Sequence, residues 1–334
     1  MAKIKAIIPV AGIGTRLRPH THTIPKALLH VAGKPILGHI LDQVKELGIK
    51  EVILILGYLG EKIEAYAKKE HPGIKFHFAY QEKALGPGHA IYLAKPFVKD
   101  GDPLLIIYGD TIFVGDMKKC LKTKKDGAIA VKRVSDPRRF GVVRMKGDRV
   151  VDVVEKPDYV RPMDAMIGIY FMRNSKLLFD ALDEMVETKR MTKGEFYLTD
   201  AFKIMLEKKA SLTTFRMEGW FDCGKPETLL STNRYLLGKK GNGKTKVVAE
   251  NTVIIPPVFI GKKVMLKNSI IGPYVSIADG AIIKTSIIRD SIINRNAVIE
   301  NAQLQESLIG ENAIVQNIIE KLNVGDNSEI SFNS

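Results

Sequence analysis

Cysteine is nearly absent from this chain, which carries two thiols, Cys120 and Cys223, in 334 residues. They form no CxxC pair and no metal-ligand cluster, so a disulfide framework is excluded and a reducing, cytoplasmic setting is the simpler reading. Long apolar runs are missing as well. The first, inside MAKIKAIIPVAGIG, has about seven residues against the ~20 that a bilayer span requires, and it leads straight into a glycine-containing turn. We therefore read it as a core strand and expect no membrane partner. Histidine stops at His89, which leaves residues 247–334 without an imidazole for general-base chemistry. The sequence has no GxxxxGK[ST] phosphate loop and no complete GxGxxG fingerprint. No recognition-helix, RRM or zinc-finger pattern occurs either, so no nucleic-acid partner is expected.

Charge of one sign is unevenly placed. The net charge is +14, but residues 247–334 carry −2 and residues 1–246 carry +16. A basic region of that kind concentrates a polyanionic ligand through its field. Apolar residues make up 45% and charged residues 26%, enough for a substantial core in one large domain and a smaller one.

The first half alternates short apolar runs with helical patterns. Strands are expected at 4–10, 51–56, 74–80 and 103–110, with helices near 35–47, 60–70, 88–95 and 116–125. That alternation predicts an α/β fold, a Rossmann-like mixed and mostly parallel sheet with ligands at the carboxyl ends of its strands. Residues 127–170 turn strand-rich, and helices follow around 175–188, 197–208 and 225–238. The polar run GKKGNGKTK at 238–246 reads as a boundary, giving domains over 1–240 and 247–334.

Beyond it, β-branched bursts recur about every six residues: Val258, Val264 and Ile270 keep this spacing, and Val275, Ala281 and Ile287 repeat it after a slip of one. Three short strands per coil with small apolar residues inside predict a left-handed parallel β-helix. Its flat faces lead us to expect a homo-oligomer of unspecified symmetry.

The most informative segment is VAGIGTRLRPHTHTIPKALLHVAGKPIL at 10–37. Gly12 and Gly14 follow a strand and are joined by Arg16, Arg18 and Lys26. Glycines allow a backbone to wrap a phosphate, arginine offers a donor fork, and lysine a compact charge. A bare GxG also serves a tight turn, and that reading stands beside the functional one.

The segment resembles the AGxGTRxxPxT…PK signature of the sugar-1-phosphate nucleotidyltransferases. LGPGHA (85–90), YGD (108–110), FGVV (140–143), VEKP (154–157), GIY (168–170), EFYLTD (195–200) and WFDCG (220–224) follow in the family's order. The resemblance implies nucleotide-binding positions at Ala11, Gly12, Gly14, Thr15 and Arg16, with base recognition at Gln81 and Gly86. Gly141, Glu155, Lys156 and Gly168 fall on its sugar-phosphate side, Glu155 for sugar hydroxyls and Lys156 for the phosphate. Asp110 and Asp222 match its two metal carboxylates, and Mg²⁺ is the implied cofactor, since hard oxygens suit it.

The implied reaction joins a nucleoside triphosphate to a sugar 1-phosphate, releasing pyrophosphate and a nucleotide sugar. Arg16, Lys26, Asp110, Lys156 and Asp222 would carry it by positioning and charge compensation. The acceptor phosphate is already anionic near neutrality, so no dedicated base is required. Glucose 1-phosphate with dTTP or UTP is the expected pair; the alternatives are another sugar 1-phosphate (N-acetylglucosamine or mannose) or a noncatalytic sugar-nucleotide-binding regulator.

Overall fold

Strand β1 (Lys5–Pro9) begins with four buried residues, which is what a central strand covered on both faces requires. It pairs in parallel with β2 (Glu51–Leu56) and β4 (Leu104–Ile107), and β2 pairs in parallel with β3 (Lys75–Tyr80). The computed structural model describes residues 3–240 and 248–331, so most of the boundary expected at 238–246 lies outside the described residues. The other half of the sheet is built from β5 (Gly127–Val134), β6 (Gly141–Lys146), β7 (Arg149–Glu155), β8 (Met163–Met172) and β9 (Leu212–Arg216). There β8 runs antiparallel to β4, β5 and β6, while β9 lies parallel to β5. The order is β7-β6-β8-β4-β1-β2-β3, with β5 and β9 branching from β8. It is a mixed, Rossmann-like sheet.

Helices α1 (Ile36–Glu46), α2 (Gly60–Glu70), α3 (Pro87–Tyr92), α4 (Ser175–Glu187) and α5 (Leu198–Glu207) fall within a few residues of their expected positions. The run expected at 116–125 shortens to Lys118–Leu121. Asn174 caps α4 by accepting from the Lys176 amide at 3.0 Å. Leu178, Leu182 and Met185 of α4 and Leu198, Phe202 and Met205 of α5 are buried in one core with Ile7, Ile106 and Ile129 of the sheet. Each such side chain contributes about 1.5–3 kcal/mol when fully buried.

By contact density the chain divides into two units, the first Met1–Gly12 with Ile40–Trp220, the second Ile13–His39 with Phe221–Ser334. Helix α6 (Pro226–Lys240) and the left-handed parallel β-helix belong to the second. Val258 pairs with Val275, Ile282 with Val298 and Leu308 with Asn323, so coils shorten from seventeen to sixteen to fifteen residues along the ladder. Ile260, Ile271, Ile277, Ile283, Ile293 and Ile309 stack inside. Corners are turned by left-handed residues, Asn268, Asn301 and Asn317 among them, and Asn301 donates to Asn317 at 2.8 Å. Buried serines close the remaining gaps: Ser286 Oγ accepts from the Ala302 amide at 3.1 Å and Ser291 Oγ from the Ser307 amide at 3.0 Å.

Candidate functional site

In the first unit, Ala11 and Gly12 leave the carboxyl end of β1. A Cβ on Gly57, just past β2, would stand 2.5 Å from the Ala11 carbonyl oxygen, and one on Gly109, past β4, would strike Val10 at 2.2 Å. Glycine at both places lets three strand ends close together. Asp110 follows at once, its Oδ1 accepting from the Thr111 hydroxyl at 3.1 Å. These residues gather at the carboxyl ends of neighbouring inner strands, where an α/β fold binds ligands.

Gln81 is fixed by its amide donating to Leu56 at 2.8 Å, and its side-chain nitrogen donates to the Gly86 carbonyl at 3.0 Å. Gly86 has φ +98°, and a Cβ there would meet the Phe196 carbonyl at 2.6 Å, so the residue is glycine on two counts. The Gly88 amide donates to that same carbonyl at 2.7 Å and the Phe196 amide to Leu85 at 2.9 Å. The two residues expected to read a base thus meet directly.

The sugar-side residues also converge. Thr199 donates to Glu155 Oε2 at 2.6 Å, and a Cβ on Gly141 would stand 2.8 Å from both partners. Burial lifts the Glu155 carboxyl above its ordinary range, against the pull of the Thr199 hydroxyl and the Lys156 charge. Lys156 adopts φ +45°, its amide donating to Phe140 at 2.9 Å and its ammonium to the Tyr197 hydroxyl. Gly168, φ +84°, packs under Tyr108, whose amide donates to the Gly168 carbonyl at 2.8 Å.

Tyr197 and Thr199 were not singled out in the sequence. They sit in EFYLTD, two residues apart at the start of α5, so one segment holds both Glu155 and Lys156. Asp200 fixes that start by accepting from the Tyr197 amide at 3.2 Å and the Thr192 hydroxyl at 2.8 Å.

In the second unit, Gly14 takes φ 73° and opens a 3-10 turn, Thr15–Leu17, leaving Thr15 and Arg16 exposed. Lys26 lies alongside: a Cβ on Gly14 would stand 3.0 Å from Lys26 Cβ. A Cβ on Gly224 would fall 2.7 Å from Asp222 Oδ1 and 3.0 Å from an Arg16 guanidinium nitrogen, which places that carboxylate and that guanidinium around one small residue. Arg18 is exposed, and Cys223 is buried, as a packed thiol would be.

Among the described residues no group of three or more His, Cys, Asp or Glu has metal-holding geometry. A magnesium site does not need one, because the ion keeps waters and takes phosphate oxygens from its substrate. Asp222, a carboxylate beside Gly224, offers the hard oxygens such a site takes.

His30 lies in the second unit, where burial first and the Arg295 charge next hold its imidazole at about 4 against an ordinary 6.5. The folded protein keeps it neutral while the unfolded chain takes up a proton below about pH 6.5. Its contribution to stability is therefore complete above pH 6.5 and is lost as pH falls toward 4, with a slope of up to about 1.4 kcal/mol per pH unit. Unfolding of the wild-type protein and His30→Asn across pH 4–7 should give curves that converge toward acid; parallel curves would contradict the assignment.

The Nucleotidyl transferase family profile matches residues 5–239, and the chain belongs to that family. It is 38% identical over 257 residues to the bifunctional protein GlmU of Methanocaldococcus jannaschii, covering 76% of this chain and 60% of the relative. It is 33% identical to a glucose-1-phosphate thymidylyltransferase of Streptomyces antibioticus, covering 78% of this chain and 73% of the relative. The chain spans about three-fifths of the length of the GlmU relatives it matches, 60% and 58% in two cases. A Bacillus anthracis protein described as a glucose-1-phosphate thymidylyltransferase, solved with sucrose, superposes with TM-score 0.62 at 28% identity, covering 72% of this chain and 98% of that one. A UDP-glucose pyrophosphorylase bound to UDP-glucose shares the fold at TM-score 0.61 and 23% identity, over 72% of this chain and 100% of that one. No helix among the described residues is long and apolar enough to cross a membrane.

Proposed function

We propose that this protein transfers a nucleotidyl group from a nucleoside triphosphate to a sugar 1-phosphate. The observation that carries this reading is the adjacency of Glu155 and Lys156, one carboxylate held by Thr199 and one ammonium held by Tyr197. A carboxylate accepts from sugar hydroxyls while the neighbouring cation takes a phosphate, so two adjacent residues match the two ends of a hexose 1-phosphate. Gln81 and Gly86 serve the base; Ala11, Gly12, Gly14, Thr15, Arg16 and Lys26 serve the triphosphate.

Asp110 and Asp222 are the residues that would hold Mg²⁺. Held by them, the ion would supply charge neutralisation to the phosphates. Arg16 and Lys26 supply fixed positive charge for the triphosphate, and Lys156 holds the acceptor phosphate, whose oxygen attacks without a side-chain base.

For the acceptor, N-acetylglucosamine 1-phosphate takes precedence over the glucose 1-phosphate expected from sequence. The GlmU relatives at 38% identity favour it, and the thymidylyltransferase at 33% keeps glucose 1-phosphate as the second reading. Pyrophosphate release from UTP, dTTP, CTP, GTP and ATP, each against N-acetylglucosamine, glucose and mannose 1-phosphates, tests this. We expect UTP with N-acetylglucosamine 1-phosphate to give the highest kcat/KM. Release with no pair at all would leave a noncatalytic nucleotide-sugar sensor as the better reading.

A further inference from the structure

The segment Ile13–His39 carries Gly14, Arg16 and Lys26 and belongs to the second unit, where it meets one face of the β-helix at Phe259, Asn323 and Gly325. That face is a five-rung ladder: Val258–Ile260, Val275–Ile277, Ile292–Ile293, Leu308–Ile309 and Asn323–Val324. Four spacings of about 4.8 Å make it roughly 19 Å tall.

The segment is fastened at both ends of the ladder. At the first rung, Gly33 lies so near Phe259 that a Cβ would stand 2.5 Å from the ring. The adjoining Ala32 amide donates at 2.9 Å to Asn233, whose side chain also receives the Ser276 hydroxyl at 2.6 Å and donates to the Tyr274 carbonyl at 3.1 Å. At the last rung, His20 is 2% exposed with Nε2 2.7 Å from Asn323 Oδ1. Pro19 packs on Gly325, where a Cβ would meet it at 3.0 Å, and the Thr23 hydroxyl donates to Asp326. Asp326 is itself held, accepting from the Glu311 amide of the preceding coil at 2.6 Å.

Between the anchored His20 and Thr23 stands Thr21, buried, its hydroxyl donating to the Gly14 carbonyl at 2.9 Å. The fastening at the last coil therefore reaches the turn that presents Arg16. We infer that Asn323 and Asp326 are positioning residues for the triphosphate-binding turn, so that the final coil of the β-helix is part of the nucleotide site's support. This rests on the reading of Gly14, Arg16 and Lys26 as triphosphate ligands. It assigns the repeats a role beyond packing and assembly: they form the bed on which the glycine turn is shaped.

The test uses the full-length protein with Asn323→Leu and Thr23→Val, which remove one anchor from each side. Val324→Ala is the control, since Val324 belongs to the apolar core inside the β-helix and its truncation opens a cavity in the same rung. Amide exchange of residues 14–24 in the ligand-free protein should quicken about tenfold in both anchor variants, the scale of one lost buried hydrogen bond. Binding of UTP or dTTP should weaken by about the same factor, with the KM for sugar 1-phosphate within about twofold of wild type. Val324→Ala should lower the melting temperature and leave exchange and triphosphate binding unchanged. Anchor variants that melt earlier but exchange and bind like wild type would overturn the inference, as would a control that weakens triphosphate equally. A wild-type protein that binds no triphosphate would sink the reading of the site instead, and exchange alone would then decide whether the last coil orders the turn.

Discussion

Asp222→Asn and Asp110→Asn are each expected to depress nucleotidyl transfer by about 10²–10³-fold, with the melting temperature within about 2 °C of wild type. Asparagine keeps the shape and an acceptor oxygen, so Thr111 can still donate at position 110 and Gly224 still clears position 222. What is lost is the negative charge that a hard divalent cation needs. The defect should ease as Mg²⁺ is raised, because weakened metal affinity is restored by mass action. Pyrophosphate release across a magnesium titration measures both effects. Near-wild-type turnover in either folded variant would remove that aspartate from the metal site.

Lys156→Ala should have the second largest effect, confined to the acceptor. A charge-assisted hydrogen bond contributes about 1.5–3 kcal/mol, so kcat/KM for sugar 1-phosphate should fall roughly 10- to 150-fold. Calorimetric affinity for free nucleoside triphosphate should change little, since Gln81 and Gly86 are held by Leu56 and Phe196 and not by Lys156. Tyr197→Phe offers a graded comparison: it keeps the ring beneath the ammonium, 4.4 Å away, and deletes the hydroxyl acceptor. It should raise the sugar-phosphate KM by less than Lys156→Ala does. Equal losses for both substrates in Lys156→Ala would assign the lysine elsewhere.

The parts of this protein that could be read from sequence are those whose signal is local. β2 matched its expected limits because VILIL, after the half-buried Glu51, is an unbroken buried run, and α4 begins where expected because Asn174 caps it. The β-helix was legible from a six-residue recurrence of small apolar residues. The stepwise shortening of its coils was harder to see, because each lost residue falls in a corner and leaves the inward-facing pattern intact. Among the site residues, Glu155 and Lys156 stood out through VEKP. Their holders did not: Tyr197 meets a partner 41 residues away and Thr199 one 44 residues away, and nothing in EFYLTD names either. The same reason hid the split of Ile13–His39 from its neighbours in sequence. Its partners lie in α6 and in coils that no window of the N-terminal sequence contains.

The bond between His20 and Asn323 closes across 303 residues. At a synthesis rate of about 5–20 residues per second, His20 is made roughly 15–60 s before its partner exists. Strands β1, β2 and β4 can pair during that interval, and the first-rung anchor can form, but the glycine turn lacks its last-rung fastening until the final coil has been translated and wound. The segment made early is thus ordered late. Protection of its amides during refolding or synthesis would serve as a clock for closure of the final coil, and a chain stalled a few residues short of Asn323 would carry every residue proposed to bind the triphosphate without the fastening at the last coil.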